Sequence, residues 1–281
     1  EDDKNKLRQL TEEASILALN FSQNVLKEKK AFKLHITDEK QLEGLPATVR
    51  EAAATTAKEY ELEGWVITLD APSYGPFMMY STQRELRKQL YMEANTLCIK
   101  DNAENNLKVC KRLINLRREM VQLLGYETYA DFVMKYRMAS NVKNVYELLD
   151  NLIEAYKPTA IKERDEIIAL AKRLEGDAFE MKPWDTSYYA HKLKLEKYDL
   201  DPEMLRPYFE LNNVIKGVFG LATRLYGITF KENKDIPVYH TDVKPFEVYD
   251  KDGSYLAVLY FDFFPRKGKR SGALMTEYQV D

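Results

Sequence analysis

Two cysteines, three histidines and no long apolar run are what this 281-residue chain has little of, and each shortage excludes something. A disulfide-stapled scaffold needs more cysteine than Cys98 and Cys110 supply. The pair also lacks the spacing of a zinc knuckle. Both are expected to be small apolar residues of a reducing compartment. Among His35, His191 and His240, none has a partner four residues away and none is followed by Glu. The 281 residues therefore hold no His-Glu-x-x-His helix face, and neither a metal ligand nor a catalytic residue is assigned within them. The apolar runs fall far short of the roughly 20 residues a membrane helix needs. Net charge is −3 and spread along the chain, which gives nucleic acid no basic surface to bind. Gly268-Lys269-Arg270 is no phosphate loop, because no glycine stands five residues before it and no Ser or Thr follows the lysine. No G-x-S-x-G elbow is present. The acidic opening Glu1-Asp2-Asp3 is unlike a secretory leader. The expected compartment is cytoplasmic, or periplasmic if a leader has been removed.

What is there suits a globular protein, with 45% hydrophobic and 31% charged residues. The expected fold is mainly α, with a small β-sheet near the C-terminus. Residues 1–227 are expected to be helical and 228–281 to form the sheet region. Leu7, Leu10, Ala14, Leu17, Phe21 and Val25 recur at helical spacing and predict one helix over 3–30. An extended piece at 31–37 and a helix over 46–60 follow. Residues 64–69 turn to β character, and 70–77, with two prolines and a glycine, predict a loop. A helix is expected over 82–95. Another follows the polar turn at 101–104, with Leu107, Cys110, Ile114, Arg117, Val121 and Leu124 as its stripe and Gly125 as its stop. A short helix over 126–138 precedes a long one from 141, and Pro158 should kink or break that one. Helices over 186–196 and 212–226 complete the helical part.

The closing stretch is the most organised. Apolar runs at 246–249 and 255–264 flank Asp250-Lys251-Asp252-Gly253, an Asp-Gly hairpin signal in which glycine accepts the positive φ of the turn. The second run is apolar on both faces and predicts a strand covered on both sides. Residues 266–270 then carry four positive charges. That is either a solvated hairpin tip or an attractor for an anion or a peptide carboxylate.

YDLDPEMLRPYF (198–209), WDTSYYAHKL (184–193) and VYHTDVKPFEVYDKDGSYLAVLYFDFFPRKGKRSGALM (238–275) closely resemble the thimet-oligopeptidase and peptidyl-dipeptidase family of zinc metallopeptidases. LLGYETYADF and WVITLDAPSYGPFMMYS match it further upstream. The peptidyl-dipeptidase branch is the nearer likeness, although that branch commonly has Trp where this chain has Leu274. The resemblance implies a mainly helical oligopeptidase fold with a deep channel for short peptides. It implies zinc in the parent protein and hydrolysis that releases C-terminal dipeptides. In the family the zinc motif follows further along, so the chain is expected to be a piece that supplies channel wall and substrate-binding strand, itself binding no zinc and cleaving nothing. On the same resemblance Gly272, Ala273 and Leu274, within 271–275, are the substrate-binding candidates. They would form an edge strand whose small residues let an extended peptide pair with its main chain. Expected partners are short peptides, with self-association through the C-terminal region. The alternative is a non-enzymatic helical protein that binds peptides through an aromatic groove, given 19 Tyr and 12 Phe.

Overall fold

The computed structural model describes residues 1–264, 266, 269 and 272–278. The architecture is mainly helical, as expected, and divides into two compact units, Glu1–Lys197 and Tyr198–Asp281. The break falls ahead of the helix-to-strand change at 227/228, and the last long helix packs with the first strand of the sheet.

The first unit opens on α1 (Asp2–Ala31) and β1 (Leu34–Ile36), continues through α2 (Ala47–Glu59), β2 (Trp65–Ile67), α3 (Ala71–Tyr80) and α4 (Arg84–Asn95), and then α5 (Leu107–Leu123), α6 (Tyr129–Met134), α7 (Val142–Glu175) and α8 (Thr186–Tyr198). The two short strands pair antiparallel, Leu34 opposite Ile67 and Ile36 opposite Trp65. Around them lies the core, which includes Leu42, Val49, Phe77, Met78 and Leu90. Gly44 and Gly64 sit at positive φ where a Cβ would collide with the carbonyl oxygens of Tyr80 and Ile36, so both positions require glycine. Asp2 and Asp3 stand in the first turn of α1 and Lys29 and Lys30 in its last, complementing the helix dipole. Arg112 of α5 holds the Glu13 carboxylate of α1 with two bonds of 2.6 and 2.7 Å.

Several expectations are corrected. Residues 71–80 are helical: Pro72 occupies the first turn, where its missing N–H costs nothing, and burial of Phe77 and Met78 outweighs the one bond lost at Pro76. Helix α7 runs unbroken through Pro158, which forfeits a bond to the carbonyl of Glu154 without stopping the turns on either side. The buried face of α5 is Leu113, Leu116 and Val121, and Leu107, Ile114 and Leu124 are exposed. Cys98 is buried, but Cys110 is exposed; the two are unpaired. The apolar spacing of Val145, Leu148, Leu149, Leu152, Ile153 and Tyr156 suggests an inward face for α7, but all of these except half-buried Val145 are exposed, whereas Leu170 and Ala171 near the end of the helix are buried.

The second unit contains α9 (Pro202–Leu205), α10 (Leu211–Tyr226) and the antiparallel strands β3 (Thr229–Glu232), β4 (Lys244–Tyr249) and β5 (Tyr255–Phe261), in spatial order 3-4-5. Asp201 caps α9 by accepting from the Glu203 amide at 2.9 Å, with Pro202 at the first helical position. The hairpin forms as expected: Gly253, at φ +84, donates to the Asp250 carbonyl, and Asp250 donates to Ser254. Phe219 of α10 lies flat on Phe230 (3.9 Å between centroids) and meets Phe246 and Phe261 at 5.0 and 5.6 Å. These rings tie helix to sheet through one face. The buried strand is accordingly β4, with Phe246 and Val248. Strand β5, expected to be covered on both sides, lies at the edge of the sheet with Tyr255 and Leu256 exposed.

Candidate functional site

The candidate residues lie where the chain leaves β5. Asp262, the first residue past the strand, accepts from both terminal nitrogens of Arg266, each at 2.7 Å. Lys269 reaches the same carboxylate at 3.1 Å, and its Nζ also donates to the carbonyls of Asp262 (2.9 Å) and Phe264 (2.7 Å). The Tyr239 hydroxyl donates to Asp262 Oδ2 at 3.1 Å, and the Arg266 guanidinium lies over the Tyr239 ring at 5.8 Å. The Arg266 bonds hold the Asp262 carboxyl far below the usual carboxylate range. Two of the four cations of the basic loop thus face inward onto one carboxylate. Lys267 and Arg270, and the glycine between the two lysines, lie outside the described residues.

Gly272, Ala273 and Leu274 are all exposed, Leu274 at 81%. Gly272 adopts φ +103 with open space where a Cβ would be. Ser271 lies outside the described residues, and 272–275 belong to no strand here, so their backbone groups take part in no ladder. Further on, Tyr278 returns to β5, edge-on to Tyr260 at 6.2 Å.

The WDTSYYAHKL segment plays a mechanical part. Asp185 is wholly buried, gripped by Arg84 (2.7 and 3.1 Å) and Arg87 (2.9 Å) of α4, and accepts the Lys182 amide at 3.0 Å. Arg87, also buried, extends to the carbonyls of Ser81 (2.6 Å) and Trp184 (3.3 Å). Burial opposes ionisation of Asp185, but the Arg84, Lys182 and Arg87 bonds outweigh it and its pKa falls. Tyr189 donates to Glu175 at 2.9 Å, which joins α8 to the end of α7; burial and that carboxylate raise the phenol pKa. A third buried polar group, Glu28 of α1, accepts the Cys98 amide and Asn102 Nδ2. Burial first, and then Glu28, push the Cys98 thiol up to about 11.

The histidines do not converge. His35 Nε2 meets the Glu63 carbonyl at 2.6 Å, His191 is buried edge-on to Tyr80, and His240 stands 3.5 Å from Asp242. Among the described residues no group of three His, Cys, Asp or Glu side chains is placed to hold a metal ion. The donor set present does not fit zinc, and no step is derived through a metal. No described helix is long and apolar enough to cross a membrane.

Sequence reasoning missed both aspartate clusters. An i, i+4 spacing of Asp262 and Arg266 was the available signal for one. For the other, nothing in the sequence joins Asp185 to arginines about a hundred positions away.

Comparison with known proteins places these features in a family. The family model for peptidase family M3 matches residues 77–281, well over half the chain. Oligopeptidase A of Escherichia coli is 38% identical over 94% of the chain and 39% of its own length. Dipeptidyl carboxypeptidase of the same organism is 35% identical, over 98% of the chain and 41% of the relative. A probable cytosolic oligopeptidase A of Arabidopsis thaliana is 35% identical, over 99% and 41%. The chain spans about two-fifths of the length of these curated relatives.

Proposed function

Because the chain belongs to peptidase family M3, we propose that it serves a zinc-dependent oligopeptidase that hydrolyses short peptides, releasing C-terminal dipeptides, and that these residues supply substrate-channel wall and a main-chain binding segment at Gly272, Ala273 and Leu274. The match to oligopeptidase A and dipeptidyl carboxypeptidase carries this reading. The exposed backbone at 272–275, which belongs to no strand among the described residues, supports the role given to that segment, since an extended peptide needs free N–H and C=O groups to pair with. The zinc and its general base would come from residues outside these 281, and no histidine here takes that part.

The test uses two proteins. The whole polypeptide should hydrolyse short peptides, losing activity to a chelator and regaining it with zinc. The 281-residue chain alone should bind no stoichiometric zinc and cleave nothing. One tightly held zinc per 281-residue chain would overturn the division of labour, and chelator-insensitive hydrolysis by the whole protein would overturn the chemistry.

Two further points belong to this reading. Exposed Tyr255 and Leu256 on an edge strand, with exposed Phe263 and Phe264 just past it, support self-association of the isolated chain through its C-terminal region; a monomer in concentrated sedimentation runs counts against it. Unpaired cysteines support a cytoplasmic setting, which cell fractionation checks.

A further inference from the structure

The segment 272–274 is carried on a loop whose two ends come together. The loop leaves β5 after Phe261 and returns at Tyr278, which meets Tyr260 ring-to-ring. Tyr239, from the stretch between β3 and β4, donates to Asp262 at the exit, and Tyr278 at the return is near enough to act on its hydroxyl. Inside that base Asp262 collects Arg266 and Lys269, and Lys269 also closes on the main-chain carbonyls of Asp262 and Phe264. Every polar anchor named is at the base. The exposed part beyond, with Gly272 at a φ other residues resist, makes none of these contacts.

We infer that Asp262 is the positioning residue for the 272–274 segment, pinning the loop that presents it through Arg266, Lys269 and Tyr239. The inference rests on the substrate-binding role proposed above for that segment. A segment that binds a peptide by main-chain pairing must be held close to its bound geometry before the peptide arrives, or binding has to supply the order. The Asp262 clamp supplies that order in advance. It touches neither the peptide nor the reacting atoms, so its loss weakens binding and leaves the chemical step alone.

The experiment uses the whole polypeptide and two readouts. In Asp262→Asn, KM for a short peptide should rise about ten-fold with kcat within about two-fold of wild type, the pattern of lost pre-organisation. Hydrogen exchange across 272–278 should quicken while β4 stays protected. Arg266→Met should act in the same direction, and the double variant should be no worse than Asp262→Asn alone, since one clamp is broken once. Tyr239→Phe, which removes a single hydroxyl, should give a smaller change of the same kind and serves if Asp262→Asn does not fold. Unchanged KM and exchange in a folded variant overturn the inference. So does a fall in kcat at constant KM, or additive effects of the two substitutions. If the wild-type protein hydrolyses no peptide, the proposed function fails and the KM effect with it; exchange alone then reports whether the clamp exists.

Discussion

Asp185 in the first unit and Asp262 in the second are built alike: each is held bidentately by an arginine and met by a second cation. They differ in access to water. Asp185 is 0% exposed and Arg87 beside it 1%, so both charges rest on protein partners and not on water. The Asp262 cluster sits at the mouth of a surface loop, where water can replace any bond that opens. The buried cluster therefore fixes one arrangement of α4 against the turn at Pro183–Asp185 that leads into α8, and breaking it strands a charge in the interior. The surface cluster sets only a preference, which a loop needs if it is to adjust to a ligand. One chemistry thus serves permanence in one place and adjustment in the other.

Asp185→Asn should break the comparison most strongly. The side chain keeps its shape but leaves Arg87 buried and unpaired, and chemical denaturation should show a loss of about 3–5 kcal/mol. The next largest effect should come from Phe219→Ala, which removes the ring joining α10 to all three strands of the second unit. Because Phe219 is only half buried, about 2–3 kcal/mol is expected. Hydrogen exchange should locate that loss in residues 198–264.

A pH series sharpens the contrast. The folded-state pKa of Asp185 lies below its unfolded value, so its contribution is complete above about pH 3.9 and is lost as pH falls through the folded pKa. Wild-type stability should decline over that acid window with a slope that Asp185→Asn lacks. Thiol labelling extends the contrast between buried and exposed groups to the cysteines. At pH 8 the Cys98 thiol is protonated and buried, so one thiol per native chain, that of Cys110, should react promptly with Ellman's reagent, and two after unfolding. The smallest effect should come from Asp262→Asn, whose change in global stability should be far below that of Asp185→Asn by the same denaturation assay.

Local chemistry was legible in the sequence. The Asp-Gly hairpin, the Asp201-Pro202 helix start and the long helix α1 depend on neighbours a few positions apart, and the structure realises each, although of the α1 stripe only Leu10 is buried and Phe21 is exposed. Features decided by distant packing were not legible. Helix α3 forms through two prolines because Phe77 and Met78 find a core, and α5 turns a different face inward because α1 sets where the inside is. The family motif marked Trp184-Asp185 but not its reason, which lies in arginines a hundred residues upstream. At the candidate site, the exposure of Gly272, Ala273 and Leu274 suited their small or flexible character, whereas Asp262 at the base of the loop was hidden among nine charged residues between 247 and 270.

Helix α7 has a mechanical side. Its 34 residues make a rod about 50 Å long. Near its far end Leu170 and Ala171 are buried, Glu166 and Arg173 pair with Lys197 and Glu196 of α8, and Glu175 accepts from Tyr189. The stripe from Tyr146 to Tyr156 has solvent along it. Among the described residues the side-chain clamps named lie toward one end, with α6 beside the other, so the middle of the rod is a free span whose weakest hydrogen-bonded turn is at Pro158. Over some 24 residues beyond the clamps, a tilt of about 5° there carries the other end through about 3 Å, roughly the width of a water molecule.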